Sequence, residues 1–297
     1  MISVVINTLN EENNLARAIK SVKNFADEVI VVDMHSDDKT VQIAKEFGAK
    51  VYSHERTNYV EPARNFAISK AQGDWILILD ADEEVTKELS KELEKLSKQE
   101  KVQIYRLARK NIVFGKWLQY SRWWPDYNIR FFKKGAVVWH DEIHSVPITN
   151  GIADQVASKE QLALKHHHYE TVEQFIDRMN RYTTIQSRRL DENDYKFVWQ
   201  DIIKRPANEF LSRYFAGHGY KDGVHGLALA SLQSLSELIV YLKVWQLQKF
   251  TQEKVAVTEV IDEMRKTQSD YHYWQADAKV NEHGGLHNRI KRKLKLP

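Results

Sequence analysis

Cysteine is absent from the 297 residues, which removes disulfides, thiolate nucleophiles and cysteine-based zinc sites together. Long apolar runs are missing as well: no uninterrupted apolar stretch approaches the roughly 20 residues needed to span a bilayer. Charge of one sign is also lacking. The formal net charge of +3 is close to balance, so no nucleic-acid partner is expected from bulk electrostatics. Two nucleotide-binding signatures do not occur. No G-x-G-x-x-G follows the first strand-like run, and no G-x-x-x-x-G-K-[ST] is found anywhere, which disfavours a dinucleotide fold and a P-loop NTPase. The opening Met1-Ile-Ser-Val-Val-Ile is strand-like and lacks the basic-then-apolar layout of a signal peptide. The expected location is the cytoplasm, with the inner face of the cell membrane as a candidate site of peripheral attachment.

What is present is a strict alternation of strand and helix patterns over the first eighty residues. β-Branched runs at Ile2 to Ile6 and Val29 to Val32, a shorter one at Lys50 to Ser53, and Trp75 to Leu79 read as strands. Between them lie helical patterns through Leu15, Ile19 and Val22, through Val41, Ala44 and Phe47, and from Pro62 through Phe66 and Ala67. Such an alternation specifies right-handed βαβ units and a parallel sheet. Residues 85–101 predict a charged helix with Leu89, Leu93 and Leu96 on its buried stripe. From Val102 to Val146 the pattern becomes strand-like and aromatic, an antiparallel or mixed extension of the sheet. Beyond about residue 170 it is helical, so a boundary is expected at 168, with one domain over 1–168 and a helical region over 169–297.

The most informative segment is Trp75-Ile-Leu-Ile-Leu-Asp80-Ala-Asp82-Glu83-Glu84, an apolar strand that runs directly into four carboxylates. Ligands of parallel sheets bind beyond the carboxyl ends of the strands. Carboxylates gathered there either cap a following helix or hold a hard cation that bridges to phosphate. Thr8 and Glu11 follow the first strand and Asp33 the second, so these residues converge with Asp80 and Asp82 on one crevice. A nucleotide fits it: Asp33 for a base N–H, a carboxylate near Asp80 for ribose hydroxyls, and a metal on Asp82 for a pyrophosphate. With no glycine-rich loop, the phosphates fall to metal and basic side chains.

Ser3-Val-Val-Ile-Asn-Thr-Leu-Asn-Glu-Glu, Val29-Ile-Val-Val-Asp33 with its Ser/Asp/Thr loop, Ala63-Arg-Asn-Phe-Ala-Ile and Gly73-Asp-Trp-Ile-Leu-Ile-Leu-Asp-Ala-Asp-Glu resemble family 2 glycosyltransferases over roughly residues 1–146. The resemblance implies an α/β, Rossmann-like A-type glycosyltransferase fold with a mostly parallel central sheet, here followed by a helical C-terminal extension. It also implies an inverting hexosyltransferase that uses a nucleotide-diphosphate sugar and Mg²⁺ or Mn²⁺. Carried over by motif, Thr8, Glu11 and Asp33 hold the nucleoside, Arg64 lies near the phosphates, and Asp80 and Asp82 form the D-x-D pair, with Asp82 the direct metal ligand. The expected donor is a UDP-sugar.

Asn128-Ile-Arg-Phe-Phe-Lys-Lys-Gly and Trp139-His-Asp-Glu-Ile-His-Ser are similar to segments of a bacterial branch, the WaaE-like transferases of lipopolysaccharide core assembly. Tyr214 to Gly217 and Gly219-Tyr-Lys-Asp-Gly-Val-His-Gly226 also resemble that branch's C-terminal signature. Ser145 stands where its members usually carry Glu. The branch implies a cell-envelope glycan or glycolipid acceptor. Inversion needs a base on the acceptor hydroxyl; Asp141 and Glu142 are the available carboxylates, with Glu142 favoured, and His144, on the same strand face as Glu142, is a candidate to complete the metal shell or bind phosphate, with an ordinary strand histidine as the plain alternative. Arg130 is a candidate for phosphate or acceptor, with a surface ion pair as the plain alternative.

His166-His167-His168 is read against a zinc site, because neighbours on an extended chain point to opposite faces and no carboxylate stands at clear spacing. The basic, apolar tail Asn288-Arg-Ile-Lys-Arg-Lys-Leu-Lys-Leu is either a solvated end or a contact with anionic lipid. The C-terminal helices are expected to serve as core or as a homodimer surface. Two other functions share the pattern: a nucleotidyltransferase, and a non-catalytic sugar-nucleotide or glycan-binding protein that has kept the fold.

Overall fold

The computed structural model describes residues 1–56, 61–139 and 147–297. The strands, in chain order, are β1 (Ile2–Thr8), β2 (Glu28–Asp33), β3 (Lys50–Ser53), β4 (Trp75–Asp80), β5 (Glu83–Glu84), β6 (Ile104–Val113), β7 (Lys116–Trp117), β8 (Asp126–Lys133), β9 (Val137–Val138), β10 (Ile148–Thr149), β11 (Ala153–Gln155) and β12 (Leu164–Tyr169). The helices are α1 (Leu15–Val22), α2 (Thr40–Glu46), α3 (Glu61–Lys70), α4 (Lys87–Leu96), α5 (Val172–Glu192), α6 (Asp201–Leu211), α7 (Val224–Leu247), α8 (Val257–His283) and α9 (Leu286–Leu294). They form two compact units. The first comprises Met1–Ile112 and Trp124–His168, and the second Val113–Trp123 and Tyr169–Pro297.

In the first unit the sheet runs in the order β3-β2-β1-β4-β8-β6-β12-β5. β1 pairs in parallel with both β2 and β4, and β2 with β3. β8 is antiparallel to β4 and to β6, so the aromatic stretch does extend the sheet in mixed fashion. Alternation of side chains explains why the first strands read as continuous apolar runs. Val4, Ile6, Val31, Leu77 and Leu79 pack on one face with Leu15, Ile19 and Val22 of α1 and Leu89 and Leu93 of α4. Val5, Ile30, Val32, Ile76 and Ile78 pack on the other face with Ala67 of α3 and with Ala71. Each of these Val, Leu and Ile side chains contributes about 1.5–3 kcal/mol by leaving water. α4 starts at Thr86, whose Oγ1 accepts from the Leu89 N–H at 3.1 Å, and its buried residues are Leu89, Leu93 and Leu96.

The strand that enters the acid cluster is followed at once by β5, and β5 pairs antiparallel with β12, placing His166 opposite Glu83 and Lys165 opposite Glu84. Lys165 and Glu84, 81 positions apart in the chain, are thereby brought side by side at the carboxyl end of β4.

In the second unit the Gly-rich signature has a structural role. Asp222, buried, accepts from the backbone N–H groups of Tyr120 at 3.0 Å and Gln119 at 3.2 Å, and so holds the 113–123 segment. A Cβ on Gly226 would lie 1.8 Å from the carbonyl oxygen of Gly219, an approach that only glycine permits. By length and composition α7 is apolar enough to cross a membrane; it packs along α5 and α6.

Candidate active site

Strand register sets the first part of the site. Thr8 lies opposite Asp33, and Asn7 opposite Asp80, so the carboxyl ends of β2, β1 and β4 carry their polar residues in one row. Thr8 Oγ1 donates to Asp33 Oδ1 at 3.2 Å. Asp33 also accepts from the Ser36 N–H at 2.9 Å and the Ser36 hydroxyl at 2.5 Å. It is buried and closes its own turn. The loops after β1 and β2 are laced together. The Asn10, Glu11 and Glu12 N–H groups donate to Ser36 Oγ, Thr40 Oγ1 and Asp38 Oδ2, and the Asp37 and Lys39 N–H groups donate back to Asn10 Oδ1 and Glu12 Oε2. Glu11 Oε2 accepts from Asn14 Nδ2 at 2.9 Å. The two motifs that flank the expected nucleoside position therefore form one interlocked loop pair.

The four carboxylates after β4 separate into four environments. Asp80 lies between two guanidinium groups, Arg64 Nη2 at 3.2 Å and Arg130 Nη2 at 2.5 Å. Burial works against its charge, but Arg130 and Arg64 prevail and hold the carboxyl far below the usual range. Glu83 is completely buried, 2.8 Å from the same Arg130 Nη2, and its Oε2 accepts from the Asp80 N–H at 3.0 Å. Burial pushes Glu83 upward against the pull of Arg130. Glu84 turns outward to Arg17, Lys165 and His167 Nε2. Asp82 faces an imidazole: its Oδ2 is 3.4 Å from His166 Nε2.

Arg130 is 2% exposed. An ion pair does form at this residue, but not at the surface as the plain alternative had it: it is buried and holds Asp80 and Glu83. Its Nε and Nη1 are buried without a hydrogen-bond partner among the described residues. Arg64, on α3, stacks its guanidinium over the Trp139 ring at 5.7 Å, and its neighbour Asn65 exchanges two hydrogen bonds with the Trp139 backbone.

The histidine triplet divides as strand alternation requires. His167 points to Glu84, while His166 and His168 share the opposite face, with His168 Nδ1 at 3.2 Å from His166 Nε2. The carboxylate that no local spacing supplied is Asp82, delivered by the pairing of β5 with β12. Behind His166 stands an ordered chain of contacts. Asp126 Oδ2 accepts from Asn111 Nδ2 at 3.1 Å and from Arg109 Nε at 2.8 Å, and Asn111 Oδ1 lies 2.6 Å from His166 Nδ1. A carbonyl oxygen only accepts, so Nδ1 of His166 carries a proton, and in the neutral ring Nε2 then holds the lone pair.

A carboxylate oxygen and an imidazole lone pair facing each other at 3.4 Å suit a cation held between them. Among the described residues no group of three or more His, Asp or Glu forms a metal cage, so such a cation needs further oxygens, as a diphosphate provides. Asn111, Arg109 and Asp126 were not picked out by sequence reasoning; His166 was weighed within the triplet and set aside as a metal ligand, and Glu83 was counted only as one of four carboxylates. Asp141, Glu142 and His144 fall within residues 140–146, outside the described residues.

Comparison with known proteins agrees with the motifs. The sequence model described as Glycosyl transferase family 2 matches residues 3–160. An uncharacterized glycosyltransferase of Rickettsia typhi is 33% identical over 258 residues, covering 79% of this chain and 87% of the relative. The lipopolysaccharide core biosynthesis glycosyltransferase LpsC of Rhizobium meliloti is 23% identical over 252 residues, covering 82% and 92%. Among solved structures, glucosyl-3-phosphoglycerate synthase from Mycobacterium tuberculosis, in complex with Mn²⁺, UDP and glucosyl-3-phosphoglycerate, is similar at 26% identity and a TM-score of 0.33, over 37% of this chain and 44% of that one. That likeness spans less than half of the mycobacterial protein.

Proposed function

The chain belongs to glycosyl transferase family 2, and we propose that it transfers a sugar, with inversion, from a UDP-sugar to a hydroxyl of a cell-envelope glycan or glycolipid precursor, assisted by a divalent cation on Asp82. The observation that carries the reading is the Asp82–His166 pair at 3.4 Å, at the carboxyl end of β4. Similarity to LpsC, named for lipopolysaccharide core biosynthesis, supports the envelope acceptor.

In this reading Thr8, Glu11 and Asp33 bound the nucleoside at the ends of β1 and β2, and Asp80 marks the ribose side. Asp80 is held in orientation by Arg130, and Arg64 faces the diphosphate. A divalent cation would supply Lewis-acid stabilisation of the negative charge on the departing diphosphate. Asp82 and the Nε2 atom of His166 would hold it. One carboxylate with one imidazole favours Mn²⁺ over Mg²⁺, which prefers oxygen and water throughout its shell. The acceptor hydroxyl loses its proton to Asp141 or Glu142 as it attacks the anomeric carbon opposite the diphosphate.

The test is turnover of UDP-sugars with Mn²⁺ by the wild type and by Asp82→Ala. Metal-dependent hydrolysis or transfer that disappears in the variant is expected, and it also excludes a binding-only protein. Undiminished turnover in Asp82→Ala, or metal-dependent binding of GDP- or TDP-sugars but not UDP-sugars, overturns the assignment.

A further inference from the structure

α9 presents its apolar side to solvent. Leu286, Ile290 and Leu294, spaced by four residues, lie along one stripe and are 74%, 47% and 58% exposed. Its other side is tied to α8: Arg292 Nη1 pairs with Asp277 at 2.8 Å and Lys295 Nζ, just past the helix, with Asp270 at 2.8 Å. A surface helix of a globular domain normally does the reverse, with the stripe packed and the charges outside.

On the helical wheel Arg289 and Lys293 border one edge of the stripe and Lys291 lies beyond the other. None of the three has an acidic partner among the described residues, and no acid occurs between residues 284 and 297. The face therefore joins three exposed aliphatic side chains to unpaired cations. α8 offers a contrast in the same unit. Val257, Ile261 and Met264 form a second exposed stripe, but the cations of that stretch, Arg265 and Lys266, are paired to Asp262 and Glu263.

We propose that the exposed face of α9 is a docking surface for an anionic lipid bilayer, on which the helix lies in the plane of the headgroups. Leu286, Ile290 and Leu294 enter the acyl boundary, and Arg289, Lys291 and Lys293 meet the lipid phosphates. The ion pairs to Asp277 and Asp270 hold the helix with this face outward, so little ordering cost remains when it docks. Charge complementarity selects the bilayer over a second copy of the chain, which would bring like-charged α9 faces together.

The experiment is co-sedimentation of the full chain with vesicles of phosphatidylcholine, with and without phosphatidylglycerol. Binding only to the vesicles that contain phosphatidylglycerol, weakened by salt, is expected. Arg289→Ala with Lys293→Ala should lower the apparent partition constant about thirtyfold. Ile290→Glu with Leu294→Glu should abolish binding, and Ile261→Glu, on the α8 stripe whose neighbouring cations are paired, should leave it unchanged. Circular dichroism and thermal melting matching the wild type show that each variant is folded. Equal binding to both vesicle types, no binding at low salt, or retained binding in Ile290→Glu with Leu294→Glu overturns the proposal. So does a dimer in light scattering that this double variant converts to monomer.

Discussion

Nδ1 of His166 lies 2.6 Å from Oδ1 of Asn111, and that contact determines which nitrogen of the imidazole faces Asp82. Asn111 is itself oriented by Asp126, so the tautomer is set three residues deep. Replacing Asn111 with Ala should lower the affinity for Mn²⁺ measured in the presence of UDP by about 10–100-fold, the usual effect of losing an outer partner of a metal-bound histidine. Calorimetric titration reads the affinity, and nitrogen NMR of His166 reads the tautomer. An unchanged tautomer population in Asn111→Ala would sink the argument.

His166→Ala removes the imidazole that Asp82 faces. Metal-dependent binding of UDP should weaken strongly in this variant, whereas His167→Ala, whose ring points to Glu84, should behave like wild type. Equal losses in the two variants would show that the triplet acts through strand stability alone.

Removing Arg130 leaves buried Glu83 with only the Arg109 guanidinium, at 3.9 Å, and Asp80 with Arg64 alone, among the described residues. Arg130→Met should cost about 3–5 kcal/mol in urea unfolding. Glu83→Gln added to it should recover part of the loss, because one uncompensated charge is then gone. If the single variant unfolds at the wild-type urea concentration, the buried triad is not holding the turn.

Gly226→Ala places a methyl against the Gly219 carbonyl. Backbone cannot swing aside as a side chain does, so the loss should reach or exceed the roughly 1–3 kcal/mol typical of overpacking. Thermal melting of the full chain measures it; an unshifted transition would mean the two glycines are not pinned together.

Burial, opposed by the Arg205 guanidinium, pushes the Tyr241 hydroxyl up to about 12 from an ordinary value of 10.0. The folded protein thus keeps a proton that the unfolded chain releases earlier. This contribution to stability is complete below about pH 10 and is lost as pH climbs toward 12. Tyr241→Phe should flatten the fall of the denaturant midpoint across that window. Parallel curves for the variant and the wild type would contradict it.

Much of this protein could be read from local pattern. Short continuous β-branched and apolar runs placed β1 to β4, and period-3.6 hydrophobicity placed α4, because a strand buried on both faces and a buried helical stripe are properties of a few neighbouring residues. The row formed by Thr8, Asp33 and Asp80 followed, since parallel strands bring their carboxyl ends together. The opposite orientations of His166 and His167 were also legible, from the alternation of side chains along a strand.

Tertiary structure alone separated the four acids after β4. In sequence Asp80, Asp82, Glu83 and Glu84 are near-equivalent; in space they meet Arg64 with Arg130, His166, Arg130 in full burial, and Arg17 with Lys165. Nor could the sequence supply His166 with a carboxylate, or show that the apolar stripe of α9 faces outward. These outcomes depend on the pairing of β5 with β12 and on the ion pairs between α8 and α9. Both join segments far apart in the chain, and a contact of that kind leaves no periodic trace in the residues on either side.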